Sequence, residues 1–571
     1  MKSLKRIVLL FIFSGILTIS NSQRLNKDAF PQNYFRNPLD IPLQLVANFG
    51  ALRSNHFHMG LDIRTQQREN LPVYAAAEGY VSRIKIEKYG FGNAIYISHP
   101  NGYTTLYAHL NAFYPALAKY VREKQYREQS WEQDFELQPD LFPVKKGTFI
   151  AYSGNTGGSA GPHVHFEIRN TQTGSNLNPL LFGFGVTDTR PPVISKLYWY
   201  DRRYSTYLLP GNHVPIAYSN GKYASVDKVI KVNSPLISFG IQSDDVSSSS
   251  PFHWGIYSAE IKLDGKPINS FQLNEISYDE TRFLNACIDY SKYLKDKFFV
   301  SHLSYLPGNG LPVFSPTDGN GVVILTDSLP HDIEITVKDF TGNATILSTK
   351  VQLGSALSHY DYPADAKPCM PNYPCRVESE NVTGNFSKNA FYDGVPFIIK
   401  ESENSGANAA SKRISFSNYT IPVHDYYDVQ VKTTLPANNP LREKVVMELT
   451  SGSSKIVEKG KWNGDWLSAR FNRLGNLQLV IDTVPPVIYP SGWKPGSLVS
   501  GSHLTFKGSD NMGEIASFTA ELDGNWLLFA KNRDRFIYTF DEHCAKGKHE
   551  LKVTATDIAG NVKEATYYFT R

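Results

Sequence analysis

Three short landmarks occur twice in this chain, in the same order, and they limit its architecture more than anything else in the sequence. Asp188-Thr-Arg-Pro-Pro-Val-Ile returns as Asp482-Thr-Val-Pro-Pro-Val-Ile, Leu263-Asp-Gly265 as Leu522-Asp-Gly524, and Asp339-Phe-Thr-Gly-Asn343 as Asp557-Ile-Ala-Gly-Asn561. The last pair follows alternating apolar residues, Ile333, Ile335 and Val337 in one copy and Leu551, Val553 and Ala555 in the other. That is the period of a strand entering a tight turn. A chain that repeats such a unit is built of modules, and 571 residues are in any case too many for one hydrophobic core.

Each copy is expected to be one β-sandwich of immunoglobulin-like type, over 186–354 and 482–571. Between them, 355–481 contains Tyr427-Asp-Val-Gln-Val-Lys and Val445-Val-Met-Glu-Leu-Thr, again alternating, and a third sandwich is the simplest account. Consecutive prolines hold the chain extended, so the Asp-Thr-x-Pro-Pro segments predict stiff junctions. The segment 23–185 reads as a small antiparallel β unit, with Asn93-Ala-Ile-Tyr-Ile-Ser and Tyr103-Thr-Thr-Leu-Tyr joined by a Pro100-Asn101-Gly102 turn. A different composition interrupts it over about 113–142, where Leu117, Tyr120 and Val121 suit one helical face, so a helical insertion is expected there. The fold class is mainly β: a small antiparallel β-sheet domain with a helical insertion, followed by immunoglobulin-like β-sandwiches.

Met1-Lys-Ser-Leu-Lys-Arg6 followed by an apolar run from Ile7 to Ile19 and by Ser20-Asn-Ser22 has the pattern of a secretory signal peptide over 1–22. The run, about 13 residues, is shorter than the roughly 20 that span a bilayer, so no transmembrane segment is expected in the mature chain. Export to the periplasm, the cell surface or the medium follows from that pattern. With 58 basic against 54 acidic residues and no long basic block, the charge argues against a nucleic-acid partner. Of the four cysteines, Cys369 and Cys375 bracket Met-Pro-Asn-Tyr-Pro, a short segment that an oxidising compartment could close with a disulfide, while a zinc site there lacks nearby histidines. Cys287 and Cys544 read as buried thiols or as distant partners.

Chemistry is concentrated in two clusters of the first unit, His58-Met-Gly-Leu-Asp62 and Gly161-Pro-His163-Val-His165-Phe-Glu-Ile168. Side chains two apart on a strand share a face, so His163 and His165 project together while Val164, Phe166 and Ile168 face the core. A catalytic zinc takes three protein ligands from His, Asp or Glu and leaves a fourth position for water, a count that His58, Asp62 and one of the paired histidines meet. Alone, His-x-His is better explained by the polar face of an exposed strand than by metal binding; the two clusters on one small β unit make metal binding the stronger account. Glu167 shares the histidine face and is either a support for a ligand or an exposed carboxylate. His56 is expected at the rim or in a structural role, His99 at the hairpin turn, and Gly154-Asn-Thr-Gly157-Gly158 in a tight turn beside the cleft, since no Gly-Lys-Ser/Thr follows it.

These residues resemble the lysostaphin-like (LytM) family of zinc metalloendopeptidases that cut peptidoglycan. The likeness rests on Phe57-His58-x-Gly60-x-Asp62, Pro72-Val73-x-Ala75, Gly79-x-Val81, Tyr103-x-x-Leu106-Tyr-x-His109-Leu110 and Gly154-x-Thr156-Gly157-x-x-x-Gly161-Pro-His163-x-His165-Phe166-Glu167, in that order. By position the resemblance implies one zinc ion (Zn2+) held by His58, Asp62 and His165, with His109 and His163 as catalytic histidines that do not bind it. It further implies hydrolysis of peptide cross-links by a metal-activated water, with peptidoglycan as substrate and the sandwiches as positioning modules or partner sites. Two alternatives accompany it: a non-catalytic activator of a cell-wall amidase, and a surface peptidase acting on protein. The insertion departs from the shortest family members and is expected either as a surface ornament or as a wall beside the cleft.

Overall fold

The computed structural model describes residues 30–315, 319–355, 359–403 and 406–571; the expected signal peptide at 1–22 lies outside them. Among the described residues no helix is long and apolar enough to cross a membrane.

Alternation of apolar residues pairs the first unit into an antiparallel sheet whose main path runs Leu45–Ala47, Leu61–Arg64, His163–Asn170, Tyr103–Phe113, Asn93–Ser98, Gly79–Ile86 and Pro143–Val144. Val164, Phe166 and Ile168 sit on the buried face with Ile63, Ile95, Ile97 and Tyr107, as their parity requires. The hairpin turn falls at Pro100-Asn101-Gly102, and Gly102 adopts φ 83°, which glycine alone takes without strain. The insertion opens as helix Pro115–Glu128, begun by a proline that needs no N–H there and ended by Gln129 in the left-handed region at φ 47°. Leu117 and Val121 enter the main core, and Tyr120 packs on Phe135 and Phe142. Its return leg is not helical: Gln133–Glu136 adds a strand to Gly79–Ile86.

Beyond it lie three two-sheet modules. In the first, a sheet built on Val193–Asp201 and Leu236–Val246 faces one built on Ser258–Leu263, His331–Lys338 and Ala344–Leu353, and Phe239, Ile241, Ile261, Ile335 and Leu347 fill the space between. In the second, Pro422–Lys432 and Trp466–Arg473 face Val445–Ser451 and Gly475–Ile481 across Phe386, Phe416, Tyr427 and Leu449. Cys369 and Cys375 are joined there by a disulfide, while Cys287 and Cys544 are free and buried. In the last, His503–Ser509 and Arg535–Thr539 face Ser517–Leu522, Lys548–Thr556 and Val562–Thr570.

The repeated landmarks have the same structural meaning in both copies. Asp264 and Gly265 (φ 47° and 78°) form the two-residue turn after Ser258–Leu263, and Asp523 and Gly524 (φ 50° and 82°) form its counterpart after Ser517–Leu522. A histidine absent from the sequence landmarks fastens each turn, His331 Nδ1 to Asp264 at 2.8 Å and His549 Nδ1 to Asp523 at 2.7 Å. The Asp-x-x-Gly-Asn turn closes on its own aspartate, and its asparagine reaches the proline junction: Asn343 Nδ2 donates to Asp188 O at 3.1 Å, and Asn561 Nδ2 to Asp482 O at 2.9 Å. The junctions are therefore stiffened by bonds to the module as well as by proline.

The modules do not hang as separate beads. Leu273, Ile276, Leu284, Cys287 and Ile288 share a core with Phe49, Phe57 and Met59 of the first unit, and Asn176–Leu177 pairs with Glu275–Ile276 across the boundary. At the far end, Tyr126 of the inserted helix stacks on His543 with ring centroids 3.5 Å apart, and Lys88 Nζ bonds Glu514 at 2.9 Å. Replacing the buried Asn561 by alanine should cost the last module about 1–3 kcal/mol, because it strands the Asp482 carbonyl. Chemical denaturation followed by circular dichroism reads this, and an unchanged midpoint would mean that the turn does not secure the junction.

Candidate metal centre

The paired histidines occupy the centre of the sheet. His163–Asn170 lies between Leu61–Arg64 and Tyr103–Phe113, with His165 directly opposite Asp62 on one side and Ala108 on the other. Gly60 permits that approach: a Cβ there would stand 2.4 Å from Phe166 O and 2.9 Å from Glu167 Cγ. Phe57, buried under Thr281 and the neighbouring module, anchors the segment that presents His58.

His109 arrives by a different device. Tyr107 and Leu110 both face the core, while Ala108 faces the site, so regular alternation would turn His109 inward. Instead it adopts φ 60°, and its N–H donates to Phe91 O at 2.9 Å rather than to the neighbouring strand. This bulge aims the imidazole into the cleft, at a backbone cost of order 1–3 kcal/mol that surrounding bonds must offset.

Three donor atoms then converge. His58 Nε2 lies 2.9 Å from Asp62 Oδ1 and 3.0 Å from His165 Nδ1, and His165 Nδ1 lies 3.0 Å from Asp62 Oδ1. His163 Nε2 is 3.3 Å from the same carboxylate oxygen, and the His109 and His163 rings have centroids 4.6 Å apart. The outward nitrogens are all occupied. His58 Nδ1–H donates to Asn48 O at 2.8 Å, His165 Nε2–H to Glu167 Oε1 at 2.9 Å, His109 Nδ1–H to Thr156 O at 2.8 Å, and His163 Nδ1–H to Gly161 O at 2.8 Å. Each bond fixes a tautomer whose other nitrogen turns a lone pair inward.

Lone pairs and a carboxylate crowded together repel unless a proton or a metal cation joins them, so this donor set suits a metal ion. Ligand atoms about 2.0–2.2 Å from a tetrahedral ion stand about 3.3–3.5 Å apart, which needs only a slight opening of the spacing found here. His58, Asp62 and His165 form the group that could hold such an ion. His109 and His163 are left over, with Nε2 facing the same space.

Glu167 is wholly buried, which removes the alternative of an exposed strand carboxylate. Beyond His165 it accepts from Tyr278 OH at 2.6 Å and from Arg169 Nε at 2.7 Å, and the Arg169 guanidinium lies 4.9 Å from the Tyr278 ring centroid. Burial by itself would raise the Glu167 carboxyl; Arg169 and His165 overcome this and bring it down to about 2. Burial alone would lower His165, but Asp62 and Glu167 on its two nitrogens outweigh that and hold it at about 9. Burial, reinforced by His163 and His165, pushes His109 down to about 3. Asp62 is held well below the usual carboxylate range: burial opposes this, and the three surrounding histidines prevail.

The cleft above is bordered by Arg53, Arg83, Lys85 and Arg169, with Phe91 and Tyr278, and by the turn Gly158–Pro162. His56 stands at this rim, and His99 is tied into the hairpin through Glu78 O and Thr105. No residue of 113–142 borders the cleft, so the insertion is not its wall. Sequence reasoning missed Tyr278, which comes from the neighbouring module, and Arg169, whose parity with His165 and Glu167 would have placed it on this face.

Comparison with known proteins adds the family. Residues 56–126 and 142–179 match peptidase family M23, residues 368–482 a Zu5-like domain, and residues 492–570 a bacterial Ig-like domain. The chain is 35% identical over 129 residues to the DD-carboxypeptidase/endopeptidase Mpg of Neisseria meningitidis, covering 23% of each protein. It is 28% identical over 149 residues to the peptidoglycan DD-endopeptidase ShyA of Vibrio cholerae, covering 25% of this chain and 29% of that one. It is 32% identical over 139 residues to the murein hydrolase activator NlpD of Salmonella dublin, covering 24% and 29%. The chain thus spans less than a third of the length of these relatives. Residues 56–126 and 142–179 thus form a domain of peptidase family M23.

Proposed function

We propose that this chain is an exported zinc endopeptidase that hydrolyses peptide cross-links of peptidoglycan. The observation that carries the reading is the set of four imidazoles whose outward N–H groups are all tied to carbonyl or carboxylate acceptors, so that those of His58, His163 and His165 turn their other nitrogens to Asp62 and His109 packs beside them. A metal-binding surface without catalysis needs His58, Asp62 and His165; it gives no reason to bend the backbone at His109 and aim two further imidazoles at the same space. The N-terminal signal pattern and the Cys369–Cys375 disulfide support export.

In this reading His58, Asp62 and His165 hold the zinc, which when bound supplies a Lewis acid for the scissile carbonyl and lowers the pKa of water to about 7. His109, neutral because burial depresses it, and His163 face the reacting atoms with Nε2. Between them they accept the proton of the attacking water, stabilise the developing oxyanion and return a proton to the leaving amine. Glu167, with Arg169 and Tyr278 behind it, fixes the ring of His165. Similarity to NlpD favours a second reading, an activator of a separate cell-wall hydrolase.

Purified sacculi separate the two. Zinc-loaded mature protein should release soluble muropeptides with new free amines, and His163→Ala should lower the rate by about 10²-fold or more with zinc retained. A folded, zinc-occupied parent that releases nothing but stimulates an amidase would establish the activator. Glu167→Gln should weaken metal binding about 10–100-fold by chelator competition, and Tyr278→Phe should act in the same direction more weakly. Because a proton and the metal compete for His165 Nδ1, affinity should fall about tenfold for each unit that pH drops below 9. A profile that stayed flat from pH 9 down to pH 5 would mean that no proton competes with the metal at His165, and would remove it from the ligand set.

A further inference from the structure

The repeat contains a fourth landmark that only the fold reveals. In the module that follows the peptidase unit, the junction aspartate Asp188 and the turn aspartate Asp339 meet Asp245, at the end of strand Leu236–Val246. In the last module Asp482 and Asp557 meet Asp510, one residue beyond strand His503–Ser509. Within each triad every residue brings a carboxylate oxygen to within 4.8 Å of the other two. Three chain segments distant in sequence thus deliver the same three carboxylates to the same place in two modules.

Hydrogen bonding accounts for only part of each triad. The Asp339 carboxylate is filled by its own turn, through Thr341 N, Gly342 N and Asn343 N, and Asp188 Oδ1 accepts from Arg190 N and Ser248 N. Asp245 has no such account: it is 0% exposed, and neither of its carboxylate oxygens has a hydrogen-bond partner. Asp188 Oδ2 is also unpartnered, and in the last module so are Asp482 Oδ2, on a residue 1% exposed, and Asp510 Oδ1. Among the described residues none of the six aspartates forms an ion pair. A buried carboxylate without partners, facing two others, is strongly unfavourable unless a proton or a cation joins it. Consistent with this, burial and then the charges of Asp188 and Asp339 push Asp245 up to about 8.

We propose that each of these two modules binds one calcium ion, through Asp188, Asp245 and Asp339 in the first and Asp482, Asp510 and Asp557 in the last. The donors are all oxygen, which suits a hard cation and disfavours zinc, and calcium tolerates the irregular geometry that segments from three strands and turns supply, where magnesium demands a regular octahedron. The ion clamps the junction to the module it enters. In the last module this matters for the cleft: Met512 and Ala559, beside the triad, pack on Val446 of the preceding module. The same module reaches the cleft turn through Arg533, which donates to Ser159 O at 3.2 Å, and Ser159 Oγ is 3.1 Å from His163 Nδ1. Calcium in the last triad therefore sets the posture of a module that braces the catalytic rim.

The test is calcium titration of the zinc-loaded mature chain in calcium-free buffer, by calorimetry and elemental analysis, with magnesium as competitor. Two calcium ions per chain are expected, one in Asp245→Asn, one in Asp510→Asn and none in the double variant. Thermal unfolding supplies a readout that a merely structural aspartate would not move. Without calcium, Asp245→Asn should be at least as stable as the parent, because an unpartnered buried charge is gone; with about 10 mM calcium it should be less stable. No binding at that concentration, a stoichiometry unchanged by the asparagine variants, equal displacement by equimolar magnesium, or an equal loss of stability with and without calcium would each overturn the proposal.

Discussion

Everything at the metal centre depends on the register of one strand. His163–Asn170 pairs on both sides, so His165 is held opposite Asp62 and beside Ala108, and a slip of one residue would turn both histidines into the core and Val164, Phe166 and Ile168 into the cleft. Burial of those three apolar side chains is what makes the slip prohibitive. The hydrophobic face thus positions the polar one, and Gly60 lets the neighbouring segment come close enough for His58 to complete the group.

The polar face is in turn stabilised from outside the peptidase unit. Glu167 is a fully buried carboxylate, tenable because His165, Arg169 and Tyr278 all satisfy it. Tyr278 belongs to the following module, whose segment around Ile276 to Tyr290 packs on Phe49, Phe57 and Met59. The sandwich next to the peptidase unit is therefore part of the wall that orients a metal-facing histidine. The last sandwich reaches the same unit from another side, through Tyr126, Lys88 and Ser159. Helix Pro115–Glu128, which borders no part of the cleft, serves as one of its landing points.

Repetition in sequence became repetition in structure at the level of single bonds. The Leu-Asp-Gly pairs are left-handed two-residue turns fastened by His331 and His549, and the Asp-x-x-Gly-Asn turns hold the proline junctions through Asn343 and Asn561. Proline alone stiffens a junction but does not orient it. The asparagine bonds do, together with the junction aspartates, since Asp188 Oδ1 accepts from Arg190 N and Ser248 N, and Asp482 Oδ1 from Val484 N and Asn511 Nδ2.

The sequence by itself determined what depends on local geometry. Strand parity placed His163 and His165 on one face and their neighbours in the core, Pro100-Asn101-Gly102 marked a hairpin, and the spacing of Leu117 and Val121 marked a helix. It also determined the modular β architecture and, through the motif order, the M23 likeness. Tertiary structure decided what parity forbids or separation hides. His109 would face the core in a regular strand, and only the bulge at φ 60° turns it to the cleft. Tyr278 lies 111 residues from the glutamate it supports, and Asp245 lies far from both aspartates it meets, so no periodicity could connect them. Local backbone geometry is written in short-range patterns, whereas partners brought together by packing of separate modules are fixed only when the cores close.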